Sequence, residues 1–332
     1  MKDNTQRVLS GMRPTGPLHI GHLLGAIENW IKLQESHDCF FMVADLHALM
    51  SEYENPGGIQ KNSTEMVIDW LACGVDPKKS TIFIQSQIPE HSELALILGM
   101  MTPLGWLERN PTYKEQLRET QGRDLTTYGF LGYPVLQTAD ILLYKANKVP
   151  VGEDQLAHLE LAREIVRRFK HFYKKEIFPE PAAILTKEAR LLGTDRRKMS
   201  KSYGNTIDLS DSEANIRKKA QSMITDPARA KTSDPGHPDT CNVFSYYNIF
   251  SDKSTVYDVY QWCTGAKKGC VDCKSNFADI LLEKLKPMRR RREEITNNPA
   301  FVRHVLSEGY EKASAVARST LKEVKKLVNL SS

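Results

Sequence analysis

Residues 7–27 read RVLSGMRPTGPLHIGHLLGAI, and their reading decides the fold. Val8 and Leu9 look like the end of a short buried strand. Ser10, Gly11, Pro14, Thr15, Gly16 and Pro17 make a turn-rich loop. From Leu18 onward Ile20, Leu23, Leu24 and Ile27 recur at helical spacing. A strand therefore feeds a glycine-containing loop, which feeds a helix start. Such a start carries unpaired N–H groups and the positive end of the helix dipole, so it favours anions. His19 and His22 stand on its first turn with Gly21 between them. A glycine there lets a flat ring approach the backbone without meeting a Cβ. Taken alone, the two histidines describe a capped helix with surface side chains, or half a metal site with no third ligand nearby.

Downstream, residues 39–45 (CFFMVAD) and 81–86 (TIFIQS) read as buried strands. The stretch 59–74 between them has helical apolar spacing and ends at Gly74. Strand and helix thus alternate from residue 7 to residue 86, which predicts a doubly wound parallel sheet. Ligands of such sheets sit at the carboxyl ends of the strands, and His47 lies just beyond one of them. Residues 90–130 read as an inserted segment, with a helical LALILGMM followed by polar sequence. In YPVLQTADILLYKANKVPVGEDQ (133–155), Leu136, Ile141, Leu142 and Leu143 surround Asp140. A carboxylate buried in that helix needs a specific partner. VPVGEDQ reads as a short strand whose carboxyl end carries Gly152, Glu153, Asp154 and Gln155 before a helix over 155–172. After Asn205 the pattern turns helical and charged, with a loop over 226–242 and helices expected at 254–263, 275–296, 299–308 and 310–329.

The chain has 332 residues, 40% of them apolar and 26% charged, which is room for two domains and a sizeable core. No run approaches the ~18 apolar residues that span a bilayer. The opening MKDNTQRVLS lacks the apolar centre of a signal peptide, so no membrane partner and a cytoplasmic location are expected. Net charge is +5, and residues 283–332 hold 12 Lys/Arg against 6 Glu. A basic end containing Arg289–Arg292 suits a polyanionic partner, a solvated helix face being the plain alternative. Of six cysteines, Cys39 and Cys73 read as core residues, whereas Cys241, Cys263, Cys270 and Cys273 crowd together. In a reducing compartment such a group favours a metal centre over disulfides.

A second segment, GTDRRKMSKSYGN (193–205), places Lys198, Met199, Ser200, Lys201 and Ser202 in a polar, glycine-flanked stretch. Together with His19-Ile20-Gly21-His22, it resembles the KMSKS and HIGH signatures of class I aminoacyl-tRNA synthetases. SGMRPTGPLHIGH, ADLHAL, YPVLQTADILLY, VPVGEDQ and KMSKSYGN resemble the tryptophanyl-tRNA synthetase family within that class. The tyrosyl family is the alternative, because Tyr133, Gln137 and Asp140 fit its spacing too. Leu9, where that family places a tyrosine, and the GEDQ form favour tryptophan. The resemblance implies an α/β, Rossmann-like (HUP-type) catalytic domain over 1–203 with an insertion near 90–130. It implies an α-helical anticodon-binding domain over 204–332, its last helix free to pack back on the first.

The implied reaction has two steps. The tryptophan carboxylate attacks the α-phosphorus of ATP, giving tryptophanyl-AMP and pyrophosphate. The terminal adenosine of tRNA(Trp) then takes the acyl group. Neither step needs a protein nucleophile, so catalysis is positioning and charge stabilisation. The resemblance assigns Lys198 and Lys201 to the departing pyrophosphate, with Mg²⁺ bridging the phosphates, and His19 and His22 to ATP. It adds Arg13, Pro14, Thr15, Gly21, Gly152, Glu153, Asp154, Leu191, Met199, Ser200 and Ser202 as ATP contacts. Asp140 would accept the indole N–H, Leu9, His47, Val149 and Val151 would line the indole, and Tyr133, Gln137 and Gln155 would hold the α-amino group. The pattern Cys-x21-Cys-x6-Cys-x2-Cys resembles that of a bacterial branch carrying a 4Fe–4S cluster, with zinc as the alternative. A homodimer is implied. A synthetase-like RNA-binding protein without activity, and a nucleotidyltransferase of the same fold, remain as other readings.

Overall fold

The structure is a computed structural model that describes residues 6–111, 113–114, 126–185 and 191–331, the side chain of Ser202 excepted. The described chain forms two compact units. The first comprises Met1–Gly16, Ala26–Glu188 and Ile295–Ser332, and the second Pro17–Gly25 and Ala189–Glu294.

The first unit is built on five parallel strands, β1 (Arg7–Met12), β2 (Asp38–Val43), β3 (Ser80–Ile84), β4 (Lys148–Val151) and β5 (Ala182–Leu185). Their order is β3-β2-β1-β4-β5, the doubly wound arrangement that the alternating pattern predicts. Leu9 pairs with Phe40, and Phe40 with Thr81, so the three leading strands end level at Met12, Val43 and Ile84. Both faces of β2 are covered, as a central parallel strand requires. Phe40 stacks on Tyr144 with ring centroids 5.0 Å apart, while Phe41, pointing the other way, stacks on Trp30 at 4.4 Å. The helix Ile59–Cys73 stops at Gly74, whose φ of 112° is a left-handed cap. Strand β5 carries no signal that sequence reading picks up.

Two helices stand where the inserted segment is expected, Glu90–Met101 and Leu104–Glu108, and part of 90–130 lies outside the described residues. The separate helices expected at 299–308 and 310–329 are one, Pro299–Leu327. Gly309 breaks nothing there; it lets the helix lie on β3. A Cβ at that place would sit 1.7 Å from the carbonyl oxygen of Ile82. Cys39 is fully buried, but Cys73 is only partly so, because it is the last residue of its helix.

In the second unit the segment 17–25 is tied by backbone bonds to 207–209. Ile20 N–H donates to Ile207 at 3.0 Å, and Leu209 N–H to Leu18 at 2.8 Å. Helices Glu213–Ser222, Asn242–Phe250, Lys253–Thr264 and Cys270–Thr296 follow. Tyr246, Tyr247 and Phe277 are fully buried among them.

Candidate active site

In the first unit the strand order reverses between β1 and β4, and ligands of doubly wound sheets bind beside that reversal. Arg13, Pro14 and Thr15 follow β1, and Gly152, Glu153, Asp154 and Gln155 follow β4. Thr15 N–H turns back onto the Arg13 carbonyl at 2.9 Å, and Gly16 takes a φ of 138° that other residues rarely adopt. The exposed Arg13 interacts electrostatically with Tyr133 and Glu52. Gln155 Nε2 donates to Asp154 at 2.9 Å.

Helix Tyr128–Leu143 supplies Tyr133, Gln137 and Asp140, spaced to share one face. Asp140 is 2% exposed, and it has the partners its burial demands. His47 Nε2 lies 2.8 Å from Oδ2, His91 Nδ1 2.6 Å from Oδ1, and Gln85 Nε2 2.8 and 3.0 Å from the two oxygens. Burial pushes the carboxyl up, but hydrogen bonds from His47 and His91 overcome it and hold the pKa down at about 2. Asp140 is therefore an ionised acceptor in an apolar wall.

His47 stands on the first turn of helix Asp45–Glu52, which starts where the strand reading of 39–45 expects the chain still extended. Its ring meets that of Tyr133 edge-on at 6.5 Å. Tyr133 Oη is 2.8 Å from His158 Nε2, and the Asn110 amide donates to His158 Nδ1 at 3.0 Å. Burial lowers His158 to about 4, so its ring is neutral, its one proton sits on Nε2, and it donates to Tyr133. Among the described residues, Tyr133 Oη thus keeps one open lone pair. Leu9, Val149 and Val151 are buried in the same apolar core.

Gln85, His91, Tyr144, His158 and Asn110 are additions that sequence reading misses. One signal is there. Ile88, His91, Leu94 and Leu98 share a helical face, so a histidine interrupts an apolar stripe and must find a buried partner.

In the second unit His19, Gly21, His22, Met199 and Lys201 come together. His19 N–H donates to His22 Nδ1 at 3.1 Å, and the two rings are 3.8 Å apart. A Cβ on Gly21 would lie 2.9 Å from His19 Nδ1 and 3.6 Å from the Met199 sulfur. The imidazole two residues before it already packs against Gly21. Burial, then the charge of Lys201, lowers His19 to about 4; burial, His19 and Lys201 lower His22 well below its usual value. Both are neutral near pH 7. Among the described residues, buried His19 Nδ1 meets no hydrogen-bond partner.

The segment 191–205 is folded around Asn205. Its amide donates to Asp195 at 2.6 Å and to the Lys198 carbonyl at 3.1 Å, and accepts from Ser200 N–H at 2.8 Å. Leu191 is buried and accepts from Met199 N–H at 3.3 Å, while Lys198 is exposed. The side chain of Ser202 lies outside the described residues.

The four later cysteines share one neighbourhood in the second unit. Burial pushes the Cys273 thiol up to about 12, and Cys241, Cys263 and Cys270 add to the rise. Arg229 reaches to 3.9 Å from Cys270 Sγ. Among the described residues no three donors close around a single ion. Nor is any described helix long and apolar enough to cross a membrane.

A family model for class I tRNA synthetases (W and Y) matches residues 1–286. The chain belongs to that family of class I aminoacyl-tRNA synthetases. Its relatives narrow the class. It is 51% identical to the tryptophan–tRNA ligase of Thermotoga maritima, covering 98% of this chain and 99% of that one. It is 43% identical to the corresponding ligase of Aquifex aeolicus, covering 98% and 100%. The crystal structure of Campylobacter jejuni tryptophanyl-tRNA synthetase, complexed with ADP and tryptophan, superposes with a TM-score of 0.90 at 34% identity, covering 98% and 100%. The activity is that of a tryptophan–tRNA ligase: L-tryptophan is activated with ATP and joined to tRNA(Trp).

Proposed function

We propose that Asp140 selects tryptophan by accepting the indole N–H. The observation that carries this is an ionised, 2%-exposed carboxylate held by His47, Gln85 and His91, in the unit whose apolar core contains Val149, Val151 and Leu9. The indole N–H can only donate, so it can take the place of one of the donors that Asp140 already has, which phenylalanine cannot. Sites that hydrogen-bond their substrate reject such analogues by roughly 10⁴–10⁵. Tyr133, with its open lone pair, binds the α-ammonium together with Gln137 and Gln155, and His47 closes the indole side. The test is tryptophan-dependent ATP–pyrophosphate exchange, with tyrosine as control. Asp140→Asn is expected to raise the tryptophan KM or lower kcat by about 100-fold or more, with ATP affinity within a few-fold of wild type. Near-normal tryptophan kinetics would remove Asp140 from this role.

ATP roles are proposed for Arg13, Pro14, Thr15, Gly152, Glu153 and Asp154 in the first unit. In the second they are proposed for His19, Gly21, His22, Leu191, Met199, Ser200 and Ser202. The tryptophan carboxylate attacks the α-phosphorus, the bond to the β,γ-phosphates breaks, and Lys198 and Lys201 meet the charge that pyrophosphate carries away. Mg²⁺ belongs to this reading as part of the nucleotide substrate, where it would offset phosphate charge. The helical region 204–332 is proposed to bind the anticodon arm. Cys241, Cys263, Cys270 and Cys273 are proposed to hold a 4Fe–4S cluster rather than zinc. Support comes from the spacing Cys-x21-Cys-x6-Cys-x2-Cys and from the neighbourhood that the four thiols share, close enough to raise one another's pKa. A cytoplasmic homodimer completes the reading, testable by sedimentation.

A further inference from the structure

The three partners of Asp140 are held differently. His47 is partly exposed on its helix, and Gln85 is fixed by Leu46 N–H at 3.2 Å. His91 has no exposed surface and uses both ring nitrogens, Nδ1 at 2.6 Å from Asp140 Oδ1 and Nε2 at 2.8 Å from Tyr144 Oη. An ionised carboxylate only accepts, so Nδ1 carries a proton. Nε2 bonds Tyr144 Oη, and the phenol stays protonated, because burial and then the charges of Asp140 and Glu90 raise its pKa well above the usual value. Tyr144 is itself fixed, fully buried with its ring 5.0 Å from Phe40 and 5.2 Å from Phe83. A chain of hydrogen bonds therefore runs from the aromatic core through Tyr144 and His91 to one oxygen of Asp140. The final torsion of an aspartate is broad, so a fixed donor on one oxygen sets the plane of the carboxylate and the direction of its other lone pairs.

We propose that His91, oriented by Tyr144, is a positioning residue for tryptophan selection: it holds the plane of the Asp140 carboxylate so that the indole N–H can replace the partly exposed His47 as donor to Oδ2. This rests on the proposed role of Asp140 itself. Deleting the N–H from the substrate tests it. Exchange is measured with tryptophan and with 3-benzothienylalanine, which carries sulfur where indole has N–H, and the ratio of kcat/KM values is compared. His91→Leu fills the space without a donor and is expected to lower the ratio by about 10- to 100-fold, leaving the ATP KM unchanged. His91→Asn returns an N–H near the Nδ1 position and is expected to bring the ratio back to within about 3-fold of wild type. Tyr144→Phe, which removes one oxygen, is expected to lower it by about 2- to 10-fold, and decides alone if His91→Leu does not fold. A wild-type ratio in His91→Leu, or in Tyr144→Phe where that variant decides, overturns the proposal. Asp140→Asn is run beside them. If its ratio stays at wild type, the reading of Asp140 fails and takes this one with it. If it collapses while the His91 and Tyr144 variants keep theirs, only the positioning role is wrong.

Discussion

At the scale of single residues, burial keeps His19, His22 and His158 neutral near pH 7. His19 and His158 are both lowered to about 4, chiefly by burial. The unfolded chain binds a proton at each of these sites near pH 6.5, while the folded chain resists down to about 4. Between those values the unfolded state holds more protons, so stability rises with pH. The contribution is complete above about pH 6.5 and is lost as the pH falls toward 4, by about 1–2 kcal/mol per group at pH 5. Urea midpoints at pH 7 and pH 5 check this, together with imidazole NMR shifts of His158, which are expected to stay flat to about pH 5. A midpoint that rose on acidification would contradict the sign. Asp140 works in a lower window, its stabilisation present above about 4 and lost as the pH falls through 2. Asp140 is legible in the sequence alone, because a lone carboxylate in the pattern VLQTADILL has to be answered by something. Its partners are not, since Gln85 and His91 arrive from a segment some 50 residues earlier that only the sheet brings alongside.

Elements show the same division between local and long-range information. Strands β1 to β4 and the helices beside them follow from apolar spacing and glycine stops, to within a few residues. Gly309 misleads because glycine usually weakens a helix, whereas here it is what permits contact with the Ile82 carbonyl. Gly309→Ala should force the last helix off β3 and cost about 1–3 kcal/mol, read as a lower thermal midpoint. An unchanged midpoint would mean the close approach is not needed. The lysines of the segment 191–205 stand out in the sequence, yet its shape depends on Asn205, whose amide serves Asp195, Lys198 and Ser200 at once. That pinned backbone carries Lys198 and Lys201. Charge grows on pyrophosphate only as the bond breaks, so Lys198→Ala and Lys201→Ala should lower kcat of exchange by about 10²–10³ each, with tryptophan affinity within a few-fold. Weaker ground-state binding at unchanged kcat would assign both lysines to ATP capture instead.

At the scale of the molecule, a single sequence places boundaries only along the line, whereas packing joins distant pieces. Residues 17–25 pair with 207–209, and the last helix lies on β3. No local pattern announces either pairing. The cysteine spacing, by contrast, is local, and it leads to the last prediction. All four cysteines belong to the second unit, as do the cations Lys267, Lys268 and Lys274 around them and Arg289–Arg292 beyond. Lys268 sits over the Trp262 ring at 3.5 Å, and Arg229 bonds the Lys268 carbonyl at 3.0 Å, so the loop carrying these charges is braced beside the thiols. A cluster at that place would order a basic surface for phosphates while leaving the amino-acid pocket of the first unit untouched. Cys270→Ser is therefore expected to keep exchange within about 3-fold of wild type and to reduce tRNA charging by about 10-fold or more, with a shallower salt dependence of tRNA binding. Anaerobic protein should contain iron and sulfide in the wild type and less of both in the variant. Exchange and charging falling together would make the cysteines a general stability element, and zinc in place of iron would overturn the choice of cofactor while leaving the RNA-binding role to stand or fall on the charging result.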